Sequence, residues 1–235
     1  MKIPLAEHFH SIQGEGYWVG TPMHFIRLAG CSVGRRVVKL GRVDINDQNS
    51  PSEVKELAPI LPTGTYAWEC HRFDGTPFWC DTDFGLKERV ELDDLLAETW
   101  ENHICLTGGE PLNHQKIVEE IISWCQDNSK QLHIETSGTI SFDYPRDTVW
   151  MTVSPKLGCL PQSILDADEI KLLVQDCNTV WPIEALEHSQ VFLSPVNEVD
   201  HLALDSRNLE LALEHLRLHP NWRLSVQLHK YLNLR

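Results

Sequence analysis

Cysteine provides the most reactive side chains in this sequence, and seven are present among its 235 residues. An odd number cannot pair completely, and the amino-terminal segment has no apolar region of the kind found in secretory signals. We therefore expect reduced thiols rather than a disulfide framework. Cys105, Cys125 and Cys177 fall in apolar strand or helix patterns, which are typical of small buried residues. The others are candidates for binding a metal ion or a metal cluster: Cys31, Cys70, Cys80 and the unassigned Cys159.

The elements that must position these residues follow a regular order. From about residue 91 onward, strand and helix patterns alternate along the chain. Such alternation predicts a parallel sheet with covering helices, either doubly wound or forming a full or partial barrel. In sheets of this kind, ligands bind beyond the carboxyl ends of the strands. We therefore expect the chemistry in the polar segments that follow predicted strands: residues 108–111, 136–138, 154–156 and 194–195.

Apolar runs and apolar spacing define the individual elements. Short apolar runs that end in glycine or polar residues predict strands, and apolar residues at helical spacing predict amphipathic helices. The predicted strands span residues 24–28, 104–107, 132–135, 149–153, 170–174, 191–193 and 222–226. The predicted helices span residues 92–100, 117–125 and 209–216.

The segment at about residues 33–69 differs from the rest of the chain. It combines several basic residues with an acidic and amide-rich stretch at 44–49 and a short helix-like piece at about 53–57. We interpret this segment as an insertion in a single domain that covers residues 1–235. Long loops inside compact domains are usually functional or mobile.

Charge and hydropathy exclude several classes of partner. The chain carries 34 acidic against 20 basic residues, and its formal net charge of -14 repels phosphate backbones. We therefore expect no nucleic-acid partner. The longest apolar runs are far shorter than the ~20 residues of a membrane helix, so we expect no membrane association and a cytoplasmic protein.

Seven short segments together resemble one enzyme family. FHSIQGEG at 9–16, FIRLAGC at 25–31, FWCDT at 78–82 and TGGEP at 107–111 resemble the radical S-adenosylmethionine superfamily. More narrowly, they resemble the 7-carboxy-7-deazaguanine synthase family. The resemblance extends to ETSGT at 135–139, SPK at 154–156 and QLHK at 227–230, so it covers the chain except for the insertion. It implies an α/β fold, a partial or modified (β/α) barrel of the radical S-adenosylmethionine type with mostly parallel strands.

The resemblance implies a [4Fe–4S] cluster and S-adenosylmethionine as cofactors. In the superfamily three thiolates hold the cluster, and the remaining iron binds the amino and carboxylate groups of S-adenosylmethionine. The usual spacing is Cys-x3-Cys-x2-Cys followed by Asp-Thr, so Cys31 matches the first ligand and Cys80 the last. Pro77 stands where the middle cysteine is expected. Cys70 is the nearest cysteine, and we predict that it is the middle ligand, which places the insertion between the first and second ligands.

A zinc site is the alternative interpretation of these cysteines. His71 or His10 could complete such a site. Zinc fingers usually space their ligands as C-x2–4-C, and the sequence contains no such spacing. The spacing therefore favours the iron–sulfur cluster.

By resemblance, several strand-end segments bind S-adenosylmethionine. Gly108 and Gly109 let the backbone approach a ligand closely, and carbonyl groups together with Glu110 suit the methionyl amino group. An aromatic residue beside the last cysteine is expected to pack on the adenine ring, with ordinary packing as the alternative. The predicted cofactor contacts are Phe78, Trp79, Gly108, Gly109, Glu110, Ser137, Ser154 and Lys156.

The resemblance also implies a magnesium ligand and substrate contacts. The threonine of Cys-Asp-Thr binds Mg2+ in the family, so Thr82 is the predicted ligand, although such a threonine is more often a cap or turn residue. Gln13, Glu15, Arg27 and His229 are the predicted substrate contacts. Glu15 can accept paired N–H donors from a pterin edge, and Arg27 can hold a carboxylate through two hydrogen bonds. A salt bridge at a strand edge is the alternative role for Arg27.

The implied reaction is a radical ring contraction in 7-deazapurine (queuosine) biosynthesis. It converts 6-carboxy-5,6,7,8-tetrahydropterin to 7-carboxy-7-deazaguanine and ammonia, which is a carbon–nitrogen lyase reaction. The radical derives from S-adenosylmethionine, so we predict no catalytic side chain, and an external one-electron reductant is needed. A homodimer is expected from the same resemblance.

Other interpretations have different requirements. An activase of glycyl-radical enzymes would act on a protein partner and would not need the segment 13–16. A tRNA-modifying relative would be expected to carry a basic patch, which the net charge of -14 disfavours. A zinc-binding interaction protein would differ from every cluster enzyme in its iron and sulfide content.

Overall fold

The computed structural model describes residues 1–39, 66–80, 82, 84–175, 179–196 and 205–234. The strands are β1 Lys2–Ile12, β2 Pro22–Leu28, β3 Arg35–Lys39, β4 Tyr66–His71, β5 Pro77–Cys80, β6 Glu88–Glu91, β7 His103–Gly108, β8 Gln131–Thr136, β9 Val149–Val153, β10 Glu169–Val174, β11 Val191–Pro195 and β12 Arg223–Leu224. The helices are α1 Leu92–Ala97, α2 Gln115–Asp127, α3 Pro161–Leu165, α4 Ile183–Leu186, α5 Ser206–Leu218 and α6 Leu228–Tyr231, with a 3-10 helix at Pro111–His114. None of these described helices combines the length and hydropathy that a membrane-spanning helix requires.

Nine strands form the main sheet, in the order β12-β11-β10-β9-β8-β7-β2-β1-β6. The neighbours from β12 to β2 pair in parallel, whereas β1 pairs antiparallel with both β2 and β6. The prediction of an α/β fold with mostly parallel strands is therefore confirmed. Because parallel strands end at the same edge, the loops after β2 and β7 to β11 come together there.

The main core lies between this sheet and its helices. Alternate residues of β7 and β8, such as Ile104 and Ile134, share one hydrophobic cluster with Val118 and Ile121 of α2. The intervening residues point to the opposite face of the sheet, because side chains alternate along a strand. On that face Phe25 and Cys105 belong to a second, smaller cluster. The sheet is therefore covered by helices on one side and leaves its other side for the site.

A second, three-stranded antiparallel sheet consists of β3, β4 and β5. In it Cys70 lies opposite Phe78, and Trp68 lies opposite Cys80. A single backbone bridge between Arg72 and Lys156 joins this small sheet to the loop after β9. Most of the predicted insertion, residues 40–65 with its helix-like piece, lies outside the described residues. Its described ends form β3 and the start of β4.

His24 is a fully buried histidine on β2. Its Nε2 lies 3.2 Å from His8 Nδ1, and its Nδ1 lies 2.7 Å from Thr99 Oγ1. Burial, together with the nearby His10 and His8, lowers the pKa of His24 to about 4. The folded chain therefore holds this imidazole neutral at a pH where an unfolded chain would protonate it.

The free energy of unfolding is expected to fall as the pH drops below about 6.5, the ordinary pKa of histidine. Between that pH and about 4, the unfolded chain binds a proton at His24 that the folded chain does not bind. The contribution of the neutral His24 to the free energy of unfolding is therefore complete above about pH 6.5 and decreases as the pH falls to about 4. Between pH 7 and pH 4.5 we expect the wild-type protein to lose roughly 2–3 kcal/mol of unfolding free energy through His24, and His24→Gln does not show this loss. Urea unfolding of both proteins at the two pH values measures this difference. Equal losses in both would contradict the expectation.

Candidate active site

A cavity of about 290 Å³ opens at the carboxyl ends of the parallel strands. Thr107 of β7, Thr136 of β8 and Ser194 of β11 line it, together with Ser154 just after β9. The cavity thus lies at the strand ends, which is where the sequence predicts the chemistry. The predicted site residues that line the cavity are Gln13, Glu15, Arg27, Cys31, Cys70, Phe78, Cys80, Thr82, Gly108, Gly109, Ser137, Ser154, Lys156 and His229.

Three cysteines from separate elements meet at one end of this cavity. Cys31 follows β2, whereas Cys70 and Cys80 belong to the paired strands β4 and β5. A Cβ at Gly34 would lie 3.0 Å from Cys70 Sγ and 3.5 Å from Cys31 Sγ, so these two thiols lie close together. The nearby Cys70 thiol lowers the pKa of Cys31 to about 7, whereas the thiols of Cys31 and Cys80 raise the pKa of Cys70. The Gly34 N–H also donates to Cys31 Sγ at 3.2 Å, so Cys31 is the thiol that deprotonates most readily of this pair.

The two histidines of the zinc alternative are paired with carboxylates. A zinc ion needs four ligands around one centre. His10 instead pairs with Glu101 at 2.7 Å, and His71 lies 3.8 Å from Glu69. Three thiols around the end of a cavity suit a cluster that contains several irons.

The loop that carries Cys31 crosses the loop after β7 in close backbone contact, and we call this contact at Gly109 the glycine crossing. Gly108 has a φ of 117°, in the region that favours glycine. The backbone N–H of Gly109 donates to the Leu28 carbonyl at 3.1 Å, and that of Glu110 donates to the Gly30 carbonyl at 3.0 Å. A Cβ at Gly109 would lie 1.6 Å from the Gly30 carbonyl oxygen. The two loops can therefore cross only when position 109 has no side chain.

Gly109→Ala is expected to lower the free energy of unfolding by about 2–3 kcal/mol, because two backbone segments must move apart. Gly20→Ala is the matched control, since Gly20 has a φ of 86° but no atom within 4 Å of its added Cβ. The control should lose only about 1 kcal/mol from backbone strain. Urea unfolding of both variants gives the comparison, and equal losses would rule out the steric explanation.

Glu110 is a fully buried carboxylate rather than a cavity-lining one. It accepts hydrogen bonds from Leu112 N at 3.1 Å, from Thr136 Oγ1 at 2.7 Å and from Ser137 N at 2.9 Å, as well as from the Ser137 hydroxyl. This arrangement differs from the predicted direct contact between this side chain and the cofactor, because donors of the chain already surround the carboxylate. Glu110 instead ties the loop after β7 to the loop after β8.

The cavity wall after β9 carries a half-buried lysine, Lys156. Lys156 Nζ donates to Ser154 Oγ at 2.7 Å and to the Ser154 carbonyl at 3.0 Å, and it lies 5.7 Å from the centre of the Phe78 ring. Burial, with the nearby Lys171, lowers the pKa of Lys156 to about 8. Trp79 pairs with Glu69 through the backbone, and its side chain lies outside the described residues.

The wall opposite the cysteines is a network of charged side chains. Lys171 of β10 lies 2.7 Å from Glu15 Oε2 and 3.9 Å from Glu135 Oε2. Gln13 Nε2 donates to Glu135 Oε1 at 3.1 Å, and Ser194 Oγ donates to Glu15 Oε1 at 3.2 Å. Burial alone would lower the pKa of Lys171, but Glu135 and Glu15 outweigh it and raise this pKa. The network therefore holds one ammonium between carboxylates.

Arg27 and His229 complete this wall from the two ends of the chain. Arg27 Nη1 donates to Glu7 Oε1 at 2.8 Å, and its guanidinium lies 5.3 Å from the centre of the Phe9 ring. The salt bridge that was the alternative role for Arg27 is thus present, with Glu7 as the partner. Arg27 also lines the cavity. A Cβ at Gly14 would lie 2.0 Å from His229 Nδ1, so this glycine lets the histidine approach.

Thr82 lines the cavity beside Cys80. Its neighbours Asp81 and Asp83 lie outside the described residues. The predicted magnesium ligand is therefore placed at the edge of the same cavity as the cysteines and the charged wall.

Lys171 and Glu135 are site residues that the sequence analysis did not assign. Lys171 is a charged residue inside the otherwise apolar strand segment 170–174, and such a residue is buried only when it is paired. This exception to the apolar pattern is the sequence feature that could have identified Lys171 as a site residue. Glu135 lies in the segment ETSGT, which resembles the family, but its residue type and position alone did not indicate a role.

Known proteins resemble the chain over its full length, although no protein-family profile matches it. It is 30% identical over 277 residues to the 7-carboxy-7-deazaguanine synthase of Escherichia coli strain K12, covering 100% of both chains. It is 29% identical over 257 residues to that of Buchnera aphidicola, again covering 100% of both chains. Among solved structures, the crystal structure of QueE from Escherichia coli is similar, with a TM-score of 0.61 and 26% identity over 97% of this chain and 95% of that chain.

Proposed function

Because this chain belongs to the 7-carboxy-7-deazaguanine synthase family, we propose that its cavity converts 6-carboxy-5,6,7,8-tetrahydropterin to 7-carboxy-7-deazaguanine and ammonia. Membership makes the chain a radical S-adenosylmethionine enzyme of queuosine biosynthesis, in the lyase class. The meeting of three thiols, a glycine crossing and a charged wall in one cavity carries the proposal.

We assign Cys31, Cys70 and Cys80 to the [4Fe–4S] cluster. The thiolate is the form that binds iron, and the lowered pKa of Cys31 favours that form. Cys70, whose pKa the other two thiols raise, must release its proton when iron binds. When bound, the reduced cluster and S-adenosylmethionine supply the radical that removes a hydrogen atom from the substrate.

The loops after β7, β8 and β9 are assigned to S-adenosylmethionine. Gly108 and Gly109 present backbone to the cavity, and backbone carbonyls can accept hydrogen bonds from an ammonium group. Ser137 is held at the cavity by Glu110, which therefore acts through it. Lys156 brings an ammonium group to the same wall, where it can meet an anionic group of a ligand.

The charged wall is assigned to the substrate. Arg27 has five N–H donors, of which its bond to Glu7 uses one, so it can still bind the substrate carboxylate through two hydrogen bonds. Glu15 and Gln13 offer acceptors to the N–H edge of the pterin ring. His229 approaches from the carboxyl-terminal segment and covers the same wall. These contacts orient the ring and exclude water.

We also propose that Mg2+ binds at Thr82. Its hydroxyl is a hard oxygen donor at the cavity edge, and such a cation can bridge to a substrate oxyanion. The external one-electron reductant and the homodimer stay predictions from the resemblance.

Turnover by the reconstituted protein tests the proposal. The full chain is loaded with iron and sulfide without oxygen, then supplied with S-adenosylmethionine, Mg2+, a reductant and the carboxytetrahydropterin. Mass spectrometry is expected to detect 7-carboxy-7-deazaguanine, and reactions without the pterin or without S-adenosylmethionine are the controls. Cleavage of S-adenosylmethionine without any deazaguanine would overturn the substrate assignment.

A further inference from the structure

Glu169 is a buried carboxylate directly behind the charged wall. It begins β10 and is only 3% exposed. It does not line the described cavity and is not one of the proposed substrate contacts. A buried carboxylate is costly unless it is hydrogen-bonded or paired, so its contacts indicate what it stabilises.

Glu169 contacts the segment that carries Gln13 and Glu15. Its Oε2 accepts a hydrogen bond from the Tyr17 backbone N–H at 2.9 Å. A Cβ at Gly16 would lie 2.1 Å from Glu169 Oε1, and Gly16 has a φ of 71°. The carboxylate therefore lies against the turn of this segment, and the glycine makes the close approach possible.

A second connection runs through Lys171. Residues two apart on a strand face the same side, so Glu169 and Lys171 share one face of β10. Lys171 in turn lies 2.7 Å from Glu15 Oε2. Glu169 therefore acts on Glu15 from two directions, through the Tyr17 amide and through the charge on Lys171.

We propose that Glu169 is a positioning residue that holds residues 13–17, the substrate segment, against the cavity through the Tyr17 amide and Lys171. This inference rests on the proposed assignment of Gln13 and Glu15 to the substrate. Burial raises the pKa of Glu169 to about 7, and the groups that face it are Lys171, Glu135 and the Cys105 thiol. The negative form gives the stronger acceptor for the Tyr17 N–H.

Two variants of Glu169 and two of a matched glutamate test the proposal. Glu169→Ala removes the acceptor and the charge, whereas Glu169→Gln keeps an acceptor oxygen and removes only the charge. Glu101→Ala and Glu101→Gln are the controls, because Glu101 is also buried but pairs with His10. Hydrogen–deuterium exchange of the peptide that covers residues 13–17 is measured without substrate, and KM and kcat are measured on the reconstituted full chain.

In Glu169→Ala the peptide is expected to exchange about tenfold faster, and KM for the pterin should rise about tenfold with kcat within about twofold of wild type. Glu169→Gln should rescue most of the exchange protection and raise KM about threefold. If the alanine variant does not fold, the glutamine variant alone decides, and an unchanged KM there would overturn the proposal.

Two further outcomes would also overturn it. Unchanged exchange in Glu169→Ala would show that the carboxylate does not hold the segment. Equal effects in the Glu101 variants would show a general loss of stability instead of positioning. Absence of deazaguanine from the wild-type reaction would overturn the proposed function, whereas the exchange comparison would still decide the role of Glu169.

Discussion

Cys70→Ala is expected to abolish cluster binding and to lower S-adenosylmethionine cleavage more than about 100-fold. The Cys70 thiol lines the same cavity as Cys31 and Cys80, and both of these thiols act on its pKa. Its removal leaves two thiolates, which cannot replace the three that hold such a cluster. Iron and sulfide content after anaerobic reconstitution, with the absorbance of the cluster, measures the effect.

Cys125→Ala is the matched control for this variant. Cys125 is a fully buried thiol of α2 whose pKa burial raises to about 12, so it is a packing residue. The control should lose about 1 kcal/mol of stability and keep its full iron and sulfide. A full complement of iron and sulfide in Cys70→Ala would show that the middle ligand lies elsewhere.

Lys171→Met is expected to lower the free energy of unfolding by about 3–5 kcal/mol near pH 7.5. The substitution leaves Glu15, Glu135 and Glu169 without the ammonium that they surround. The charge of Lys171 lowers the pKa of Glu169, so its loss would raise that pKa further, and the folded variant would take up a proton there as the pH falls. The loss should therefore shrink between pH 7.5 and pH 5.5, and urea unfolding at the two pH values measures it.

Lys156→Met separates this charge effect from the loss of any half-buried lysine in the cavity. Lys156 lines the same cavity, but burial lowers its pKa, and its Nζ donates hydrogen bonds to Ser154. Its removal should cost no more than about 1–2 kcal/mol and show no recovery at lower pH. Equal losses in the two variants would mean that the carboxylates near Lys171 do not depend on its charge.

The parallel strands were predictable because their signal is local. Residues 104–107 and 132–135 are short apolar runs that end in glycine or polar residues, and both lie within observed strands. The antiparallel strands β1 and β6 were not predicted. β1 contains Pro4 and an irregularity between Leu5 and Glu7, and β6 is largely exposed, so neither shows a regular apolar pattern.

The same distinction applies to the site residues: some were predictable from short segments, and others depend on residues far away in the sequence. Motif residues such as Gly109 and Arg27 were found because the resemblance resides in short contiguous segments. Lys171 and Glu169 were not found, because their role comes from carboxylates and amides that lie far away in the sequence. The approach of Cys70 to Cys80 depends on the pairing of β4 with β5, which sequence spacing alone did not specify.

The substrate segment is joined to the last part of the chain. The Gly16 N–H donates to Ser225 Oγ at 2.9 Å, and the Leu228 N–H donates to the Gly14 carbonyl at 3.0 Å. During synthesis the early segment leaves the ribosome long before these partners are made, whereas all three cysteines emerge well ahead of them. A nascent chain stopped before residue 225 could therefore bring its thiols together while the pterin wall is still unfinished. The order of synthesis therefore allows the cofactor end of the site to assemble first and the substrate end last.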